Sequence, residues 1–99
     1  MTHDELVRFA AEKLGVELLD THFISGFDLS SPDLFFKGLE AFNTVEGRWL
    51  KIQMSTVEMG INKAHSDEHG ISIFKDDIAA WDIPLTFWQC WYELEGAHD

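Results

Sequence analysis

Two groups of residues in this chain are of types that could do chemistry. His65-Ser66-Asp67-Glu68-His69 spells H-x-x-E-H, the pattern in which two imidazoles one helical turn apart hold zinc while the glutamate activates water. That chemistry needs a helix with apolar neighbours and a further, distant ligand. Here Ser66, Asp67 and Gly70 mark a polar turn instead, so the segment reads first as a solvated turn. His65, Glu68 and His69 remain as weak metal-ligand candidates. The second group is Asp20, His22 and Cys90, a carboxylate, an imidazole and a thiol that would make a nucleophilic site if folding brought them together. Spacing along the chain does not do so. Cys90 sits in an aromatic run and reads as a buried apolar filler, unable to form a disulfide within the chain because it is the only cysteine. Phosphate-binding glycine loops, G-x-S-x-G and paired metal-binding cysteines are missing from the sequence. The expectation is a protein with no catalytic residues and no cofactor.

What remains is the last third of the chain. Residues 76–96 hold three of the four tryptophans, the one tyrosine and the one cysteine, and no Lys or Arg. From Ala64 to Asp99 Lys75 is the only Lys or Arg, against Asp67, Glu68, Asp76, Asp77, Asp82, Glu93, Glu95 and Asp99. Aromatic side chains carry a large burial energy, so this stretch defines a core, an interface or both. An aromatic content of 13% is more than so small a domain needs, which points to some rings being exposed within an acidic rim, the composition of a protein-binding hot spot. The residues expected to meet a partner are Asp76, Asp77, Trp81, Asp82, Phe87, Trp91 and Glu95. The competing reading makes the acids a solvated face and the rings a core.

Charge narrows the partner. A formal net charge of -11 opposes contact with nucleic-acid phosphates and with anionic membranes, and suits a basic protein surface. Length and charge are similar to those of phage-encoded inhibitors and toxin-neutralising immunity proteins, a likeness of composition alone. The expected function is therefore an acidic, non-enzymatic inhibitor or adaptor. A small metal-binding domain or enzyme using His65, Glu68 and His69 is one alternative, and a homo-oligomer that buries the aromatic helix against itself is another. The acidic start, Met1-Thr2-His3-Asp4-Glu5, has no signal-peptide character, and no apolar run is long enough to span a bilayer. A cytoplasmic protein is expected.

The elements that must position these residues fit one α+β domain over 1–99, with three or four helices on a small, mostly antiparallel sheet. Ninety-nine residues are just enough for a single core without disulfides. Thr2 or His3 opens a first helix whose stripe is Leu6, Phe9, Ala10 and Leu14, ended by Gly15. Residues 16–25 fit a buried strand or a short helix, with a strand preferred around 21–25. Ser31-Pro32-Asp33 starts a second helix that buries Leu34, Phe35, Leu39 and Phe42, and Gly38 within it suggests a close contact. Residues 48–54 alternate as a strand with Leu50, Ile52 and Met54 inward; Trp49 falls on the opposite face, either covered or exposed. Ser55-Thr56-Val57-Glu58 matches a helix capping box, while Gly60 and the β-branched residues favour a strand, and 55–65 stays open between them. Residues 71–74 read as a short strand suited to pair with 48–54. The last third reads as two helices, a short one from Asp76 or Asp77 through Trp81 and a longer one begun by Asp82 and Pro84. In the longer one Leu85, Trp88 and Tyr92 share one face, and Phe87, Trp91 and Leu94 the adjacent one.

Overall fold

A computed structural model of the protein describes residues 2–16, 28–45, 47–61 and 71–98. Over these the chain forms helix α1 (His3–Leu14), helix α2 (Pro32–Asn43), strands β1 (Arg48–Gln53), β2 (Thr56–Ile61) and β3 (Ile71–Lys75), a single 3-10 turn (Ala80–Asp82) and helix α3 (Ile83–His98). Among the described residues it is a small α+β fold, a three-stranded antiparallel sheet of order β1-β2-β3 with α2 and α3 packed on it and α1 packed on those two helices. Residues 17–27 and 62–70 lie outside the described residues, and with them Asp20, His22, the strand expected around 21–25 and the His65–His69 segment expected as a turn.

The first two helices begin at the residues that mark their starts in the sequence, but only α1 has a side-chain cap. The Thr2 hydroxyl accepts from the Glu5 N–H at 3.2 Å, Asp4 and Glu5 face the positive end of the helix dipole, and Gly15 closes α1 in the left-handed conformation at φ 72°. Leu6, Val7, Ala10 and Ala11 form the buried stripe. In α2 Pro32 fixes the first turn, but the Ser31 side chain makes no capping hydrogen bond.

Thr56–Ile61 is the central strand, paired with β1 from Arg48↔Ile61 to Gln53↔Thr56 and with β3 from Val57↔Lys75 to Ile61↔Ile71. The strand alternative for 55–65 therefore wins over the capping box in this segment, because both sides of β2 find ladder partners that a helix could not use. For the same reason β3 pairs with β2 rather than with 48–54. Val57, Met59 and Ile61 point into the core, while Glu58 and Gly60 lie on the other face. There the Trp49 ring lies over its cross-strand partner Gly60. A Cβ on Gly60 would come within 2.5 Å of the Trp49 ring atoms, so glycine is what lets the indole lie flat on the sheet.

β1 departs from its expected pattern. Leu50 is half-buried, but Ile52 is 37% and Met54 96% exposed. The cause is topological: α3 packs on β2 and β3, whereas β1 is an edge strand packed against α2 and tied to α3 at its start by the Arg48–Glu95 ion pair. Register Gln53↔Thr56 leaves Met54 and Ser55 as a two-residue hairpin turn, so Met54 belongs to no sheet face.

α3 contacts β2 and β3 and also α1 and α2, which explains its broad apolar surface. Phe87, Trp88, Cys90, Trp91 and Leu94 are all buried. Trp88 stacks on Trp91 at a centroid distance of 5.6 Å and 13° between planes, and Phe42 meets Trp91 edge-on at 5.1 Å. Trp88 fits only because residue 38 of α2 is glycine, since a Cβ there would stand 2.6 Å from Trp88 Cζ2 and 2.9 Å from Phe87 Cε1. The close contact expected at Gly38 is this one.

Candidate interaction surface

The segment expected as a short helix from Asp76 through Trp81 is mostly irregular. Asp77 takes a left-handed conformation, φ 58°, and helical hydrogen bonding starts only in the turn Ala80–Asp82, which leads straight into α3. An Asp with positive φ breaks a helix at the point where a capped one would begin; its short polar side chain is among the few that tolerate this backbone. Backbone bonds hold the segment: the Ile78 N–H donates to Ser55 O at 3.0 Å, the Asp82 N–H to Ala79 O at 2.8 Å, and the Ile83 N–H to Ala80 O. The first ties residues 76–82 to the tip of the β1–β2 hairpin.

This arrangement sorts the partner-binding candidates into two groups. Asp76, Asp77 and Asp82 are exposed, and Trp81 is 77% exposed. Phe87 and Trp91, by contrast, are buried at 0% and 1%. Their expected exposure is corrected: α3 packs on the sheet and on the other two helices, and both rings lie buried between them. Glu95 is committed inside the fold as well. Its Oε1 accepts from Arg48 Nη2 and from Trp91 Nε1, each at 3.0 Å. Burial alone would raise the Glu95 pKa, but the hydrogen bonds from Trp91 and Arg48, with the charges of Arg48 and Lys13, hold it below the ordinary glutamate value.

The acids around Trp81 keep their charge for the outside. Lys75, the nearest cation in sequence, is taken by Glu93, with Nζ 3.1 Å from Oε2 and 3.3 Å from Oε1. Among the described residues none of Asp76, Asp77 or Asp82 forms an ion pair. Sequence reasoning did not assign Met54 to this region, although Ser55 is bonded to Ile78 and Met54 is the most exposed large apolar residue described. A two-residue turn normally announces itself by Asn-Gly or Asp-Gly with positive φ. Met54-Ser55 has neither that composition nor a positive φ, so the sequence held no signal for it.

The chemical candidates fare differently. Cys90 is fully buried, and that burial pushes its thiol up to about 11, with Lys75 lowering it and Glu93 raising it by lesser amounts. A thiol of that kind is a poor nucleophile at neutral pH. Among the described residues no three His, Cys, Asp or Glu side chains gather in a metal-binding arrangement, and His22, His65, Glu68 and His69 lie outside them. No helix among the described residues is long and apolar enough to cross a membrane. No protein-family model, curated protein or solved structure matches this chain.

Proposed function

We propose that this protein is an acidic, non-enzymatic binding module, an inhibitor or adaptor, that docks on a basic protein surface through the segment 76–82. The observation that carries the reading is Trp81. It is 77% exposed, whereas Trp88 and Trp91, further on in α3, are buried in the core, and it stands among three aspartates with no internal counter-charge in the described structure. Covering so exposed a tryptophan with a partner would add its apolar burial energy to binding, and tryptophan is among the residues most often found at the energetic centre of interfaces. Asp76, Asp77 and Asp82 around it would supply steering and specificity toward Lys and Arg. The same charges, with the net -11 of the chain, disfavour a nucleic-acid partner. Within this reading the size and charge fit an inhibitor of the phage-encoded or immunity-protein kind, and the lone buried thiol suits a reducing, cytoplasmic setting.

The test is affinity capture from a lysate of the source cell with the wild type and with a Trp81→Ala, Asp76→Lys, Asp82→Lys variant, both checked for native circular dichroism. The reading expects a basic protein held in stoichiometric amount by the wild type, released by moderate salt, and not held by the variant. Equal retention by the two proteins would refute it.

A further inference from the structure

A concave surface lies at the end of α3 away from Trp81. Phe9, Glu12 and Lys13 of α1 face Tyr92, Glu95 and Gly96 of α3 across a cleft of about 340 Å³. Asp82 and Glu95 are thirteen residues apart along the chain, on the order of 20 Å of helix, so this cleft is independent of the segment around Trp81.

Its lining already treats one cation as a ligand. The Lys13 ammonium sits 5.3 Å from the Phe9 ring centroid and 5.7 Å from that of Trp91, within the range at which an aromatic face attracts a positive charge. The rings are fixed in place: Phe9 meets Trp91 edge-on at 5.7 Å and Tyr92 at 5.3 Å. Glu95 uses Oε1 for Arg48 and Trp91, and among the described residues Oε2 takes no hydrogen bond. Glu12 is exposed and forms no ion pair among them. Just outside the lining, the Tyr92 hydroxyl donates to Glu5 Oε2 at 3.1 Å, which places a third carboxylate beside the cleft. An anionic ligand would meet one ammonium against these carboxylates on a chain of net charge -11. A cationic one would meet aromatic faces and carboxylate oxygens.

We propose that the α1–α3 cleft binds an organic cation, an alkylammonium or guanidinium group, and that Lys13 is an internal occupant that competes with it. Phe9 and Tyr92 supply the aromatic walls, Glu12 and the free oxygen of Glu95 the counter-charge. When a ligand enters, the flexible Lys13 side chain swings out to solvent, and the attraction it surrenders sets how much affinity the occupant withholds. The cation could be a free small amine or a basic side chain of a protein; both present the same group.

The experiment is a ¹H–¹⁵N NMR titration of the whole chain with butylammonium chloride and, separately, with acetyl-Gly-Arg-Gly-amide, each against KCl at matched ionic strength. Saturable shifts at the amides of Phe9, Lys13, Tyr92 and Gly96 are expected. Lys13→Met keeps the length of the side chain and removes the competing charge, so it should tighten binding about two- to fivefold, the factor that corresponds to one exposed cation–π contact. Glu12→Gln, at an exposed position, should weaken it. Saturation by the amine identifies a small-molecule cation; saturation by the peptide alone identifies a protein side chain. The proposal is overturned if neither saturates, or if Lys13→Met and wild type bind with equal affinity.

Discussion

Replacing Gly38 with alanine adds one methyl group to α2 at the point where that helix touches α3. The new carbon would stand 2.6 Å from Trp88 Cζ2, 2.8 Å from Trp88 Cη2 and 2.9 Å from Phe87 Cε1, whereas carbon atoms pack best at about 3.5–4.0 Å. The rings must retreat by on the order of 1 Å. They have nowhere to go, because Trp88 is stacked on Trp91 and Phe87 is wedged edge-on against Phe35, Phe42 and Trp88. Overpacking of this kind costs about 1–3 kcal/mol, and the helix propensity of alanine over glycine returns up to ~1 kcal/mol. With the full propensity return, a net loss of up to about 2 kcal/mol is expected, or a fall of up to roughly 10 °C in Tm for a domain of this size. The assay is urea and thermal unfolding followed by circular dichroism, with Gly96→Ala as the control. Gly96 lies in α3 with nothing within 4 Å of its added Cβ, so there the propensity term acts alone and the variant should gain up to ~1 kcal/mol. If Gly38→Ala proves as stable as Gly96→Ala, the account of how α2 seats against the tryptophans is wrong.

Three further outcomes follow from the same geometry. Trp81→Ala should change stability by less than about 0.5 kcal/mol, whereas Trp91→Ala should cost about 3–5 kcal/mol; equal effects in chemical denaturation would contradict the assignment of one ring to the surface and the other to the core. The folded-state pKa of Glu95 is held below its ordinary value, so its contribution is fully present above the unfolded glutamate range and is lost as pH falls through the folded pKa. Glu95→Gln should therefore flatten the acid limb of a stability-against-pH curve, and an unchanged limb would show that Arg48 and Trp91 do not hold the carboxylate as described. Iodoacetamide at pH 8 should alkylate Cys90 at least ~100-fold more slowly in the native protein than in urea, given a thiol raised to about 11 inside the core; comparable rates by mass spectrometry would place the thiol within reach of solvent.

The sequence carried the parts of the fold that are written locally. Thr2, Gly15 and the Ser31-Pro32-Asp33 start mark the ends of α1 and α2 because capping is a matter of neighbouring residues, and the structure has those ends where the residues put them. Topology was less legible. Val57, Met59 and Ile61 would serve a helix stripe poorly and a strand well, but only two flanking partners decide that Thr56–Ile61 is central, and those partners lie at a distance along the chain. The aromatic helix shows the same limit on the surface side. Leu85, Trp88 and Tyr92 on one face and Phe87, Trp91 and Leu94 on the next cover too wide an arc for a helix with one buried side. That width was the available sign that α3 is packed on both sides and that Phe87 and Trp91 belong to the core. For Asp76 and Asp77 two capping residues in a row look like a helix start, yet the left-handed backbone at Asp77 delays the helix to Ile83 and leaves Trp81 standing out. Nothing local to the sequence distinguishes those outcomes.

The central claim is that Trp81 and its aspartates form the docking surface, and photo-crosslinking from inside it tests this most directly. A benzoylphenylalanine at position 81 and, as a control, at position 36, where Phe36 on α2 is also 61% exposed, would be irradiated in lysate of the source cell and the adducts identified by mass spectrometry. The account expects a basic protein joined at 81, absent at 36, and lost when Asp76 and Asp82 are changed to lysine. Adducts at 36 but not at 81, or an adduct at 81 indifferent to the aspartates, would contradict it.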